Sequence, residues 1–156
     1  MSSLEYSWPL SRSLLLELLE DRITDCFVVK LVWERLGYQP EESPDDVWLA
    51  GKNTPNEWIQ AFPKAPEVIS TRYASVHLTR SIPKEYKQSL KSCLNFEGYK
   101  VDELFPRRTR RATAVNWLLA WMLSRDDNLP QDGPLPRLSE APVNPLRGHP
   151  GDREIE

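Results

Sequence analysis

Arg107, Arg108, Arg110 and Arg111 place four guanidinium groups within five positions, directly ahead of the apolar run "AVNWLLAWML". Each planar guanidinium can donate two parallel hydrogen bonds to a carboxylate or phosphate, so the chemistry on offer is anion recognition. Four such groups cannot all occupy a dry core, and several are expected to emerge into water or meet a partner. Lys84, Lys87 and Lys91 recur three and four residues apart, which stacks them on one helix face. Positive charge at a helix start is mildly unfavourable against the helix dipole. The same place becomes favourable when an anion docks, because free amide N–H groups and arginine forks converge on it. Trp117 and Trp121 follow on the same helix and supply aromatic anchors of the kind protein interfaces use. The expected partner-binding set is therefore Arg107, Arg108, Arg110, Arg111, Lys84, Lys87, Lys91, Trp117 and Trp121, facing an acidic protein surface.

Other chemistries find less material. The two histidines, His77 and His149, and the two cysteines, Cys26 and Cys93, do not assemble into a zinc spacing. No phosphate-cradling loop, dinucleotide fingerprint or nucleophile elbow occurs. No catalytic residue, cofactor or metal ligand is assigned. His77 reads as a surface imidazole tied to nearby hydroxyls, Glu17, Glu20 and Asp21 as a solvated helix end, Asp45 and Asp46 as a loop, and both cysteines as buried thiols. Two alternatives stay open: a nucleic-acid-binding regulator that neutralises phosphates with the same patch, and a small enzyme with a carboxylate site that spacing does not reveal.

Length and composition set the frame for these residues. A chain of 156 residues has room for one hydrophobic core, and 40% apolar with 28% charged residues is ordinary for a globular protein. No run approaches the roughly 18 to 20 apolar residues of a membrane span, and Glu5, Trp8, Pro9 and Arg12 interrupt any signal-peptide pattern, so a cytoplasmic protein is expected. The net charge of −3 hides an asymmetry. Lysine plus arginine against aspartate plus glutamate runs 6 to 12 in residues 1–71, 10 to 4 in 72–111 and 4 to 7 in 112–156. A basic middle between acidic flanks favours an acidic or phosphate-bearing partner.

The periodicity predicts the elements that carry these groups. A helix is expected from Leu10 to Asp21, with Ser11 as cap, and a second from Thr24 to a left-handed stop at Gly37. Val47, Trp48 and Leu49 suggest a small strand, and Thr54, Pro55 and Glu57 open a short helix. "RYASVHLTRS" alternates and is read as an edge strand. A helix from Pro83 to Leu94 buries Tyr86, Leu90, Cys93 and Leu94, "NFEGYKV" carries a turn and a last short strand, and a long helix runs from near Arg107 or Thr109 to near Ser124. Burying each large apolar side chain of that last helix is worth about 1.5 to 3 kcal/mol, against 0 to about 1 for an exposed ion pair, so it is first a core element. The fold class is α+β: a compact, mainly helical domain over residues 1–128, with about four principal helices and a small antiparallel sheet. Six prolines in residues 129–156 predict an extended or disordered tail, with Leu135, Leu138, Val143 and Leu146 available to touch the domain.

"VHLTRSIP", "FEGYKVDEL" and "PRRTRRATAVNWLL", together with the earlier "VVKLVWERLGY", resemble an uncharacterised family of small proteins of cyanobacteria and plastid-bearing organisms. The resemblance spans residues 10–125 and leaves the proline-rich tail outside. It carries no catalytic or cofactor positions. It implies a non-enzymatic adaptor or assembly factor linked to photosynthesis, either cytoplasmic or peripheral to the thylakoid membrane.

Overall fold

The computed structural model describes residues 8–41 and 47–156. The expectations for Glu5 and for Asp45 and Asp46 lie outside the described residues. Helix α1 spans Arg12–Leu19 and α2 spans Asp25–Leu36. Both starts are capped as their sequence predicts: the Ser11 hydroxyl accepts from the Leu14 amide and the Thr24 hydroxyl from the Phe27 amide, each at 3.1 Å. Helix α2 stops at Gly37, whose φ of 91° is open to glycine, and a Cβ there would lie 2.8 Å from the Thr54 nitrogen. Strands β1 (Gln39–Pro40) and β2 (Trp48–Leu49) pair antiparallel, Gln39 opposite Leu49 and Pro40 opposite Trp48. The short α3 (Asn56–Ala61) follows Pro55, one residue later than the Thr54 cap predicts. The Thr54 hydroxyl accepts from the Gly51 amide instead.

The segment read as an edge strand is a helix, α4 (Arg72–Ser81). The apparent alternation concealed a helical stripe: Ala74, Leu78 and Ile82 recur every four residues and are buried, and the Thr71 hydroxyl accepts from the Ala74 amide. His77 therefore sits on a helix, with its ring 4.4 Å from that of Trp58 and 5.2 Å from that of Phe62. The helix expected from Pro83 to Leu94 is divided into a 3-10 turn at Lys84–Tyr86 and α5 (Ser89–Leu94). The strand expected in "NFEGYKV" is a bend followed by a 3-10 turn at Val101–Glu103, with Asn95 and Gly98 at positive φ. Cys93 is half-buried against the core, but Cys26 is exposed, contrary to the expectation of a buried thiol. Its place in the first turn of α2, ahead of the apolar stripe, explains the difference.

Helix α6 (Pro106–Ser124) is the axis of the domain. It packs against α1, α2, α4 and α5, burying Ala114, Val115, Leu118, Leu119 and Met122 among Leu14, Leu15, Leu18, Val28, Val32 and Leu78. Residues beyond α6 have no helix or strand, yet they are tied to the domain by backbone bonds: Arg12 N–H to Pro130 O, Ser139 N–H to Arg22 O and Glu156 N–H to Ser70 O. Leu129, Leu138 and Ile155 reach the core, whereas Leu135, Val143 and Leu146 stay exposed. The architecture is mainly helical α+β with one two-stranded antiparallel sheet.

Candidate functional site

The four arginines at the entrance of α6 separate into different environments. Pro106 starts the helix, and from there Arg107 and Arg111 lie four residues apart on the inward face, both at 0% exposure. Arg107 donates from Nη1 to Asp21 Oδ2 at 2.8 Å, from Nη2 to Asp21 Oδ1, and from Nε to Asp25 Oδ2 at 2.9 Å. Arg111 donates from Nη1 to Asp25 Oδ1 at 2.7 Å and from Nη2 to Leu18 O at 2.8 Å, and its Nε stands 3.5 Å from Asp21 Oδ1. Two arginines and two aspartates thus form a closed, nearly saturated ion network at the junction of α1, α2 and α6. Arg108 closes its edge, 3.3 Å from Asp21 Oδ2, with its guanidinium over the Phe105 ring.

Asp21 was expected at a solvated helix end, but it is 1% exposed. It follows the last turn of α1 in a left-handed conformation, φ 63°, which turns its carboxylate toward α6. Burial alone would raise its pKa. The hydrogen bond from Arg107 and the charges of Arg111, Arg107 and His149 outweigh this and hold the carboxyl below its ordinary value. Burial would likewise depress the Arg107 pKa, but its bonds and charge contacts with Asp21 and Asp25 leave it raised. Tyr99 borders the network and donates to Leu19 O at 2.8 Å; burial pushes its phenol up to about 12.

His149, 5% exposed, completes the network from the tail: its Nε2 lies 3.0 Å from Asp21 O and 3.4 Å from Asp21 Oδ1. Asp21, Asp25 and His149 are the members that sequence reasoning missed. The available signal was reciprocal: two inward-spaced arginines in an apolar helix require carboxylates, and Asp21 and Asp25, themselves four apart, were the nearest candidates to the first helices.

Arg110 lies on another side of α6. It donates to Ile69 O at 3.0 Å, and partial burial followed by the charge of Arg72 pushes its pKa below the ordinary value. Lys84, Lys87 and Lys91 are all exposed, and Lys87 Nζ donates to Thr79 O at 2.9 Å. Asn116 fixes this segment to α6 by accepting from the Leu90 amide and donating to Lys87 O, each at 3.0 Å. Lys87 and Lys91 rim a groove of about 570 Å³ that also includes Leu90, Phe96, Leu104 and Ala112; Leu104 is exposed. Trp117 is 7% exposed and belongs to the core. Trp121 is half-buried, with the Arg125 guanidinium 4.4 Å and that of Arg35 5.4 Å from its ring. Five residues separate Trp121 from Asn116, about 140° around the helix, so it faces away from the lysine groove. The structure therefore brings Arg107, Arg108 and Arg111 together but leaves Arg110, the lysines and the two tryptophans on other faces.

Among the described residues no group of three or more histidine, cysteine, aspartate or glutamate side chains could hold a metal ion, and no helix is long and apolar enough to cross a membrane.

The fold and its ion network define a small, mainly helical α+β domain organised around a buried basic cluster, with a separate basic patch on its surface. Residues 9–123 match the family described as "Domain of unknown function (DUF1823)", and the chain belongs to that family. A protein solved by solution NMR is similar in structure, with a TM-score of 0.63 and 46% sequence identity over 74% of this chain and 94% of that one. No curated protein matches the chain.

Proposed function

We propose that the protein is a non-enzymatic adaptor, or an assembly or regulatory factor, whose lysine-rimmed groove takes an acidic segment of a protein partner. The observation that carries this reading is the groove beside α5, where the exposed Lys87 and Lys91 flank apolar Leu90, Phe96 and exposed Leu104. An amphipathic acidic segment matches both features: its carboxylates meet the lysines while its apolar side chains cover Leu104. Lys84, exposed on the turn before α5, adds a third positive charge to this segment. Arg108 and Arg110 lie on neighbouring surfaces of α6, each partly committed to an internal acceptor. Arg107 and Arg111 serve the partner only indirectly, by fixing the helix from which Asn116 holds the lysine-bearing segment. In this reading Trp117 is structural and Trp121 lies outside the contact. In this reading the role belongs to an oxygenic phototroph, in the cytoplasm or at the thylakoid surface, in the service of a photosynthetic complex.

Affinity purification with wild type and a Lys84→Glu/Lys87→Glu/Lys91→Glu variant tests the assignment. Loss of a specific acidic partner by the folded variant is the expected result, and an unchanged set of specific partners overturns it. A titration with single- and double-stranded oligonucleotides over a salt range addresses phosphate binding by the same lysines. Saturable, strongly salt-dependent complexes lost in the variant would replace the protein partner with nucleic acid.

A further inference from the structure

The tail's last dozen residues combine three features: they lie outside the matched family region, they lack helix or strand, and they reach into the most buried charges of the domain. Pro145 O is 3.4 Å from Arg107 Nη1, and the His149 ring stands against Asp21. Asp152 Oδ2 accepts from the Asp25 amide at 2.9 Å, and Oδ1 from the Cys26 amide at 3.1 Å. These are first-turn amides of α2, which have no acceptor within the helix. The Thr24 hydroxyl serves the next one, that of Phe27. Farther on, Arg153 pairs with Glu67 at 3.1 Å and the Glu156 amide donates to Ser70 O at 2.7 Å. Gly151, Asp152 and Arg153 form one wall of a cavity of about 310 Å³, whose other side includes Val29, Lys30 and Trp33 of α2.

We propose that residues 145–156 are a reversible clasp, which closes over the ion network and forms a removable wall of the cavity beside α2. The hold is almost entirely polar: Leu146 is exposed and only Ile155 of the segment's large apolar side chains packs on the core. A segment with so little apolar burial opens at lower free energy than the helices beneath it. The solved relative is 94% covered by only 74% of this chain, so the core fold exists with little chain beyond the shared region. Closure also depends on close approach at Gly148, where a Cβ would stand 2.5 Å from Asp152 Oδ2 and 2.8 Å from Asp25 Oδ2.

Amide hydrogen exchange on the full chain tests the clasp, because Asp25 and Cys26 are protected by Asp152 whereas Phe27 is protected by Thr24. In wild type, the Asp25 and Cys26 amides are expected to exchange at least about tenfold faster than the α6 amides of Leu118 and Leu119. Exchange of both pairs at one common rate overturns the proposal, since the segment would then open only with the whole domain. Gly148→Ala is expected to accelerate Asp25, Cys26 and Glu156 together by about tenfold or more while Phe27 and α6 keep their rates. Unchanged Asp25 and Cys26 amides in that variant also overturn it. If Gly148→Ala unfolds the chain, Arg153→Glu, which sets an exposed acid against the half-buried Glu67, provides the same readout without touching the ion network. It is expected to accelerate Asp25 and Cys26 to a smaller degree, and no change there counts against the clasp.

Discussion

The arginines that open α6 and the lysines beside α5 carry the same charge and lie within one short stretch of sequence, yet the fold gives them opposite tasks. Arg107 and Arg111 lie in the domain's interior, where Asp21 and Asp25 take all three nitrogens of Arg107 and Nη1 of Arg111, and Leu18 O takes Arg111 Nη2. Lys84, Lys87 and Lys91 remain exposed, the last two at the rim of a groove. The difference lies in register and head group. On α6 the arginines four residues apart share the inward face with Val115 and Leu118, and a guanidinium has enough directed donors to be saturated by two carboxylates and a carbonyl. The lysines lie off the inward positions Ser89 and Leu94, on a turn and a short helix, and among the described residues Lys87 reaches no acceptor but the Thr79 carbonyl. Local charge density thus says little about function until each charge has been matched with its counterion.

The largest separation between the two regions should appear in stability. Arg111→Ala leaves Asp25 Oδ1 buried without its donor and Leu18 O with only the Asp21 amide, and is expected to cost about 3 to 5 kcal/mol. Urea denaturation of the variant beside wild type gives this number. Arg111→Lys is expected to recover only part of it, because one ammonium cannot span both acceptors. A loss below about 1 kcal/mol for the alanine variant would place Arg111 with the exposed charges and dissolve the comparison.

Acid should distinguish the regions next. The Asp21 carboxyl is held below its ordinary value of 3.8, so its ionised form stabilises the folded chain. That contribution is complete above the unfolded-state pKa of about 4, and is lost as pH falls through the lower folded-state value. Unfolding midpoints measured from neutral pH down through this window should fall in wild type. The fall should be shallower in Asp21→Asn, which has no carboxyl to protonate there. The three lysines lie outside the network, and a variant lacking all three should keep the wild-type acid limb.

Much of this arrangement was legible in the sequence, and the limits have physical causes. Ser11, Thr24 and Gly37 mark their helix ends because caps and left-handed stops act over three or four residues. Helix α6 was legible because a long apolar stripe has no other use. The α4 segment was misread because ten residues with Ala74, Val76 and Leu78 satisfy a period of two as well as a helical stripe, and the partner that decides, α6, is distant in sequence. The ion network was hidden for the same reason: Asp21 and Arg107 are 86 positions apart, and nothing local at Asp21 distinguishes a solvated helix end from a buried turn. His149 was least legible, since a proline-rich tail gives no periodic sign that one of its residues is buried.

Asn116 links the two regions and should show an intermediate effect. Asn116→Ala removes the acceptor of the Leu90 amide and the donor to Lys87 O, and is expected to cost about 1 to 2 kcal/mol in urea denaturation. Amide exchange should then rise in α5 before it rises in α1, because the lost bonds hold α5 and its preceding turn, whereas Arg111 still holds α1 through Leu18 O. Equal acceleration in α1 and α5 would mean that Asn116 stabilises the domain as a whole.

The smallest expected effect is the most discriminating. Lys84→Ala, Lys87→Ala and Lys91→Ala should each move stability by no more than about 0.5 kcal/mol, since each removes an exposed charge without emptying a cavity or stranding a buried group. Added salt should erase even that difference, because charges in water are screened within a Debye length. The coupling between Arg111 and Asp25, measured by a double-mutant cycle with Arg111→Met and Asp25→Asn, should persist at the same salt, because no electrolyte reaches a pair buried beneath α1 and α2. If salt weakens both alike, the network is open to solvent and the arginines return to the surface set. If it weakens only the lysine effects, the lysines alone remain available for an acidic partner, and the salt sensitivity of partner binding should follow theirs.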